Sequence, residues 1–190
     1  PVELTVLVFL PAVAAVLVML LPQRLEAQAK WIALAGSLAA LALSGREHYR
    51  TIYGPLLLDL PRIPAPDLYR DPQGPGATGA ALEAEILRQG PDSVAAFIAE
   101  PIGGSSSGAM VPSRDYWRAV AELCNRYGIL LIADEVLCGM GRTGRMFACE
   151  HFGLDVDIVT VAKGIASGLP LGVTAARADV MTWPPGAHAS

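Results

Sequence analysis

The chain has 190 residues, a net charge of −4 and a pI near 5.3; 53% is hydrophobic and only 17% charged, with a mean hydropathy of +0.42. The acidic balance argues against a nucleic-acid backbone or an anionic membrane surface as partner, and the apolar excess exceeds that of an ordinary soluble domain. Cys124, Cys138 and Cys149 form no CxxC pair and His48, His151 and His188 lack ligand spacing, so the sequence points to reduced thiols and no metal site.

The apolar excess sits at the start. Leu4 to Leu21 is almost uninterrupted and long enough for a transmembrane candidate, with Pro11 as a kink. A polar turn with Arg24, Glu26 and Lys30 follows, then a shorter apolar stretch, Trp31 to Leu43. No basic segment precedes the first run, which disfavours a secretory signal; a buried helix pair is the other reading. Val6-Leu7-Val8-Phe9-Leu10-Pro11 and Trp31-Ile32-Ala33-Leu34 resemble the start of the antiporter-like M subunit of NADH–quinone oxidoreductase. Residues 1–43 are therefore expected to be an apolar helical leader, and residues 4–43 the only part able to meet a membrane. Arg24 and Lys30 would hold the turn in the cytoplasm, and a true hairpin would carry Gly45 onward outside. Both ends of the sequence read as cut, since it opens on Pro1 and stops in Pro-Pro-Gly-Ala-His-Ala-Ser.

From Ser44 the character changes. Pro55 to Pro75 is proline-rich and extended. Thr78 to Gln89 reads as a helix with Leu82, Ile86 and Leu87 inward and Gly90 as its stop. Val94 to Ala99 reads as a buried strand ending on Glu100-Pro101. Ser113 is placed to cap a helix from Arg114 to Tyr127 whose apolar positions, Trp117, Val120, Ala121, Cys124 and Tyr127, keep helical spacing, and Gly128 ends it. Ile129 to Ala133 and Ile158 to Ala162 are continuous β-rich runs, the pattern of buried parallel strands. A short helix is expected between them, around Met146 to Phe152. Strand–helix alternation of this kind implies βαβ units in an α/β fold.

Each strand finishes on a charged residue: Glu100, Asp134, Lys163. Ligands bind beyond the carboxyl ends of such strands. Lys163 is one of two lysines, with Lys30, against twelve arginines. A lysine is needed where the task requires a neutral amine, as in Schiff-base chemistry, because a guanidinium does not deprotonate; chance, or neutralisation of a sheet edge, is the alternative. Asp134 at a buried strand end needs a cation or strong donors. A pyridinium nitrogen would serve, and so would Arg142 or Arg145. Gly139-Met140-Gly141-Arg142-Thr143-Gly144 satisfies GxGxxG after a strand, with Asp155 or Asp157 near the distance of a ribose acid. The dinucleotide reading is disfavoured, because Asp134-Glu135 would face a pyrophosphate and the following helix is too short. Asp134 with Glu135 as an acid–base pair is disfavoured too, since strand neighbours point to opposite faces.

Ile132-Ala133-Asp134-Glu135-Val136, Gly141-Arg142-Thr143-Gly144 and Ala162-Lys163-Gly164, in this order, resemble the class III aminotransferases, fold-type I enzymes dependent on pyridoxal 5'-phosphate. Glu100-Pro101, Tyr127-Gly128 and Gly168-Leu169-Pro170-Leu171-Gly172 fit the same pattern. The resemblance covers residues 44–190 and implies part of the large domain, a mainly parallel sheet with flanking helices. It implies that Lys163 forms the Schiff base with the cofactor, that Asp134 pairs with the pyridine nitrogen and that Val136 packs on one ring face. It further implies an amino donor and an oxo-acid acceptor as small-molecule partners, a homodimer and a cytoplasmic setting. Gly103 and Ser105 stand where the GABA and ornithine branches carry a glutamine and an acid, which leans toward an amine–pyruvate-like branch. The phosphate-cradling loop, the stacking aromatic and the cross-dimer threonine have no counterpart here, so weak cofactor binding and no transamination by this chain alone are expected. The rival classes are a membrane-subunit fragment, an inactive chimera and a nicotinamide-dinucleotide-binding domain. The glycine turn with Arg142 is expected beside the cofactor site or a subunit contact.

Overall fold

The computed structural model describes Ala42 and residues 47–104, 107–169 and 171–181. Apart from Ala42, the expected leader and the composition break at Ser44 lie outside the described residues, as does Ser105. Among the described residues no helix is long and apolar enough to cross a membrane. The described residues fall into two compact units, one up to Arg62 and one from Ile63 on. The first contains α1 (Glu47–Tyr53) and a 3-10 turn (Gly54–Leu56), joined to the segment beyond by an ion pair of 2.8 Å between Arg50 and Asp59.

The second unit holds α2 (Pro75–Thr78), α3 (Ala80–Gln89), β1 (Ala96–Ala99), α4 (Arg114–Tyr127), β2 (Leu130–Asp134), β3 (Ile158–Val161) and β4 (Val173–Ala176). Helix α4 begins and ends where the sequence places it. Ser113 Oγ accepts from the Tyr116 amide at 2.9 Å, and Gly128 closes the helix in the left-handed region. Asp115 in the first turn and Arg126 in the last complement the helix dipole. Tyr116, Trp117, Val120, Leu123 and Cys124 form its buried stripe; Tyr116 and Leu123 join the expected positions, while Ala121 and Tyr127 are only half-buried. Helix α3 starts two residues late, because Gly79 adopts φ +81° and separates it from α2. It buries Leu82 and Ile86, but Leu87 is 57% exposed and corrects the expectation. One step of about 100° beyond Ile86 turns a side chain off the buried face.

The strands lie in the order β1-β2-β3-β4, with the first three mutually parallel and β4 antiparallel to β3. Ala99 pairs with Ala133, and Asp134 with Thr160. This is the expected α/β fold with a mainly parallel sheet. Strand β4 was not legible: its residues are exposed or half-buried in alternation and form no continuous apolar run. The β2–β3 connection carries a 3-10 turn, Ala148–His151, in place of the expected short helix. The core joins α3, α4 and the sheet through Leu82, Ile86, Trp117, Val120, Ile129 and Leu131. Trp117 fixes this layer to the edge of the site, its indole N–H donating to the Pro101 carbonyl at 3.3 Å.

Candidate active site

The register brings the carboxyl ends of β1, β2 and β3 level. Continuing it by one residue sets Glu100 beside Asp134, and Asp134 lies opposite Thr160. Glu100 turns back on its own loop and accepts from the Gly104 amide at 2.7 Å. Asp134 behaves differently. The half-buried carboxyl group receives both of its protein hydrogen bonds on one oxygen. The Val136 amide donates to Oδ1 at 3.0 Å and the Thr160 hydroxyl to the same atom at 3.4 Å. Oδ2 has no partner among the described residues, and no ion pair joins Asp134 to Arg142 or Arg145 there. Arg145 instead approaches Glu150, at 4.0 Å.

Lys163 opens the 3-10 turn Lys163–Ala166 immediately beyond β3 and is exposed. Its backbone has φ +48°, a left-handed conformation that costs a non-glycine residue ~1–3 kcal/mol and collects at functional positions. Its amine has no partner among the described residues. Gly164 allows the next contact: a Cβ there would stand 3.1 Å from Met140 Cβ. The glycine turn therefore lies against the lysine turn.

The hydrogen bonds of that turn argue against a pyrophosphate cradle, because several of its amides are engaged by the protein: Gly141 donates to the Met146 carbonyl, Arg142 to Gly139 and Gly144 to Gly141, at 3.2, 3.4 and 3.1 Å. Gly141 and Gly144 supply left-handed backbone, while Gly139 is needed for close approach to Glu135. Asp157 stands at the opposite, amino end of β3. It accepts from the Leu131 amide at 2.7 Å and pairs with Arg177 at 2.8 Å. The spacing that suggested a ribose acid therefore belongs to a structural latch.

Sequence reasoning missed two residues. Thr160 sits twenty-six positions from Asp134, and only the parallel register brings them together. Glu135 was set aside because it points away from Asp134. It does, into a pocket where it is 1% exposed. Its Oε1 accepts from the Cys149 amide at 2.7 Å and its Oε2 from the Cys138 thiol at 3.0 Å. Burial, reinforced by Glu135, pushes both thiols up to about 12. Burial does the same to Cys124, aided by the Asp157 charge. All three cysteines are free thiols.

These residues fit a pyridoxal group by their chemistry: an acceptor oxygen left open at the sheet edge, an unpaired primary amine one strand away, and a half-buried aliphatic side chain at Val136. The comparisons agree. The family model described as Aminotransferase class-III matches residues 35–190. The chain belongs to this family of pyridoxal-phosphate-dependent enzymes. Over 136 residues it is 43% identical to a hypotaurine/taurine–pyruvate aminotransferase of Paracoccus denitrificans, covering 70% of this chain and 29% of that protein. It is also 43% identical over 153 residues to a leucine/methionine racemase of Thermococcus litoralis, 75% of this chain and 33% of that one. An omega transaminase from Pseudomonas jessenii, solved in complex with PMP, matches with a TM-score of 0.69 at 35% identity, over 76% of this chain and 34% of that one. The chain thus spans about a third of the length of these relatives.

Proposed function

We propose that this chain carries the cofactor-holding edge of an aminotransferase that moves an amino group from an amine or amino acid to an oxo acid with pyridoxal 5'-phosphate. The observation that carries the reading is Asp134, whose Oδ1 is held by Val136 and Thr160 while Oδ2 has no partner among the described residues. Oδ2 would hold the protonated pyridine nitrogen, Val136 would cover one ring face, and Lys163 would bind the aldehyde carbon. Bound pyridoxal phosphate supplies an electron-withdrawing ring that acidifies the substrate carbon bearing the amino group. Lys163, as its free amine, would take the proton from that carbon and deliver it to the carbon of the cofactor's former aldehyde, the shift that leaves the amino group behind and releases an oxo product on hydrolysis. A fixed carboxylate beside the ring nitrogen keeps that nitrogen protonated.

The amine–pyruvate leaning of Gly103 and Ser105 agrees with the taurine–pyruvate and omega transaminase relatives. Pyruvate is thus the proposed acceptor, a homodimer the proposed assembly and the cytoplasm the proposed setting of residues 44–190, with membrane contact confined to residues 4–43. The decisive experiment adds pyridoxal phosphate, reduces with borohydride and maps the labelled peptide, then assays amines against pyruvate. Label on Lys163 supports the reading, and pyruvate-dependent loss of donor would confirm the reaction while overturning the expectation that this chain alone does not transaminate. Inversion of an amino acid without any acceptor, as the racemase relative prompts one to check, would replace transfer by racemisation.

A further inference from the structure

Glu135 is buried, and no cation pairs with it among the described residues. A carboxyl group in such a place is costly unless its oxygens find donors, and for packing alone an apolar side chain of similar volume serves as well or better. What Glu135 has instead is four hydrogen bonds that converge from separate parts of the chain. Its amide donates to the Thr160 carbonyl on β3, and its carbonyl accepts from the Gly139 amide, both at 2.9 Å. Its side chain takes the Cys138 thiol and, fourteen residues on, the Cys149 amide. Gly139 is pressed so close that a Cβ would stand 2.7 Å from the Glu135 carbonyl oxygen and 2.9 Å from its Cβ. The next residue, Met140, is left-handed at φ +56°, and its side chain is the one Gly164 approaches. A continuous line of contacts therefore runs from Glu135 through Gly139 and Met140 to Gly164, the neighbour of Lys163.

We propose that Glu135 is a positioning residue for Lys163: its buried carboxyl group fastens the 138–149 loop, which in turn holds the lysine turn in its left-handed conformation. The proposal rests on the reading of Lys163 as the cofactor lysine.

The test compares Glu135→Gln with Glu135→Leu in the full chain, after circular dichroism has established folding. Two readouts are taken: hydrogen exchange at the Cys149 amide, and borohydride-fixed pyridoxal label on Lys163 at sub-saturating cofactor. Glutamine keeps an oxygen for the Cys149 amide, so both readouts should stay within about threefold of wild type. Leucine leaves that buried amide unpaired, so exchange should rise and labelling fall by about tenfold or more, the scale set by an unsatisfied buried donor. A residue important only for packing would tolerate leucine as well as glutamine. A folded leucine variant with wild-type exchange and labelling overturns the proposal. Should the leucine variant fail to fold, Gly139→Ala decides in the same way, because its methyl group wedges the turn away from an intact Glu135. Should wild type carry no label on Lys163, the cofactor reading fails, and Cys149 exchange alone then judges whether Glu135 fastens the loop.

Discussion

Asp134 and Asp157 are the same residue type, both half-buried, at opposite ends of adjoining strands. Asp157 has both oxygens engaged, one by the Leu131 amide and one by Arg177. It joins the start of β2 to the end of β4. Among the described residues, Asp134 has one oxygen engaged twice and the other not at all. The difference separates a carboxylate that holds the fold from one that the fold holds. It also falls where an open α/β sheet places ligands, at the carboxyl ends of its strands.

The largest expected effect is at the lysine that faces the same edge. Lys163→Ala should abolish borohydride-fixed pyridoxal label while leaving circular dichroism and the denaturant midpoint unchanged, since the side chain is exposed and has no partner among the described residues. Next come the two aspartates, which should exchange roles. Asp157→Ala leaves the buried Leu131 amide unpaired and should lower unfolding free energy by ~1–3 kcal/mol, with Lys163 labelling retained under folding conditions. Asp134→Ala should cost no more than ~1 kcal/mol, the net worth of a hydrogen bond, yet reduce labelling at sub-saturating cofactor by about tenfold or more through loss of a charge-assisted partner. Equal stability losses at both positions would erase the distinction.

A smaller effect concerns pH. Cys124, Cys138 and Cys149 are raised from an ordinary value of 9.0 to about 12. Between those values the unfolded chain loses thiol protons that the folded chain keeps, so folding binds more protons and stability falls as pH rises. The contribution is fully present below pH 9 and is lost toward pH 12. Replacing the three cysteines by alanine should flatten that decline in urea titrations. At pH 8 the folded thiols should resist a maleimide that modifies them promptly in urea. The smallest effect is Arg177→Ala, which removes an exposed partner of Asp157 and Asp179 and should shift the denaturant midpoint least of all, as expected of a surface ion pair.

Much of this arrangement was legible in the sequence where local chemistry decides it. Helix α4 carries its cap, its stripe and its stop within one segment, and its ends fell where Ser113 and Gly128 put them. Strands β1 to β3 announced themselves as apolar runs, and the site residues stand at or just beyond their ends. Leu87 was misread because the buried face of α3 is narrow, holding only Leu82 and Ile86 at i, i+4 spacing, whereas the broader face of α4 takes adjacent residues. Strand β4 was invisible because its pairing with β3, rather than its own pattern, makes it a strand. The partners of Asp134 and Glu135 were hidden for a related reason: Thr160 and Cys149 lie twenty-six and fourteen residues away. The glycine turn misled in the opposite direction, since left-handed backbone and close approach require glycine whether or not a phosphate is present.

The most direct measurement uses the scarcity of lysine. With only Lys30 and Lys163 in the chain, pyridoxal phosphate followed by borohydride and peptide mapping has two possible lysine addresses. A cofactor edge built around Asp134 predicts label on Lys163 in wild type, label on Lys163 still present in Asp157→Asn, and a sharp loss in Asp134→Asn. Label spread evenly over both lysines, or unaffected by Asp134→Asn, would contradict it.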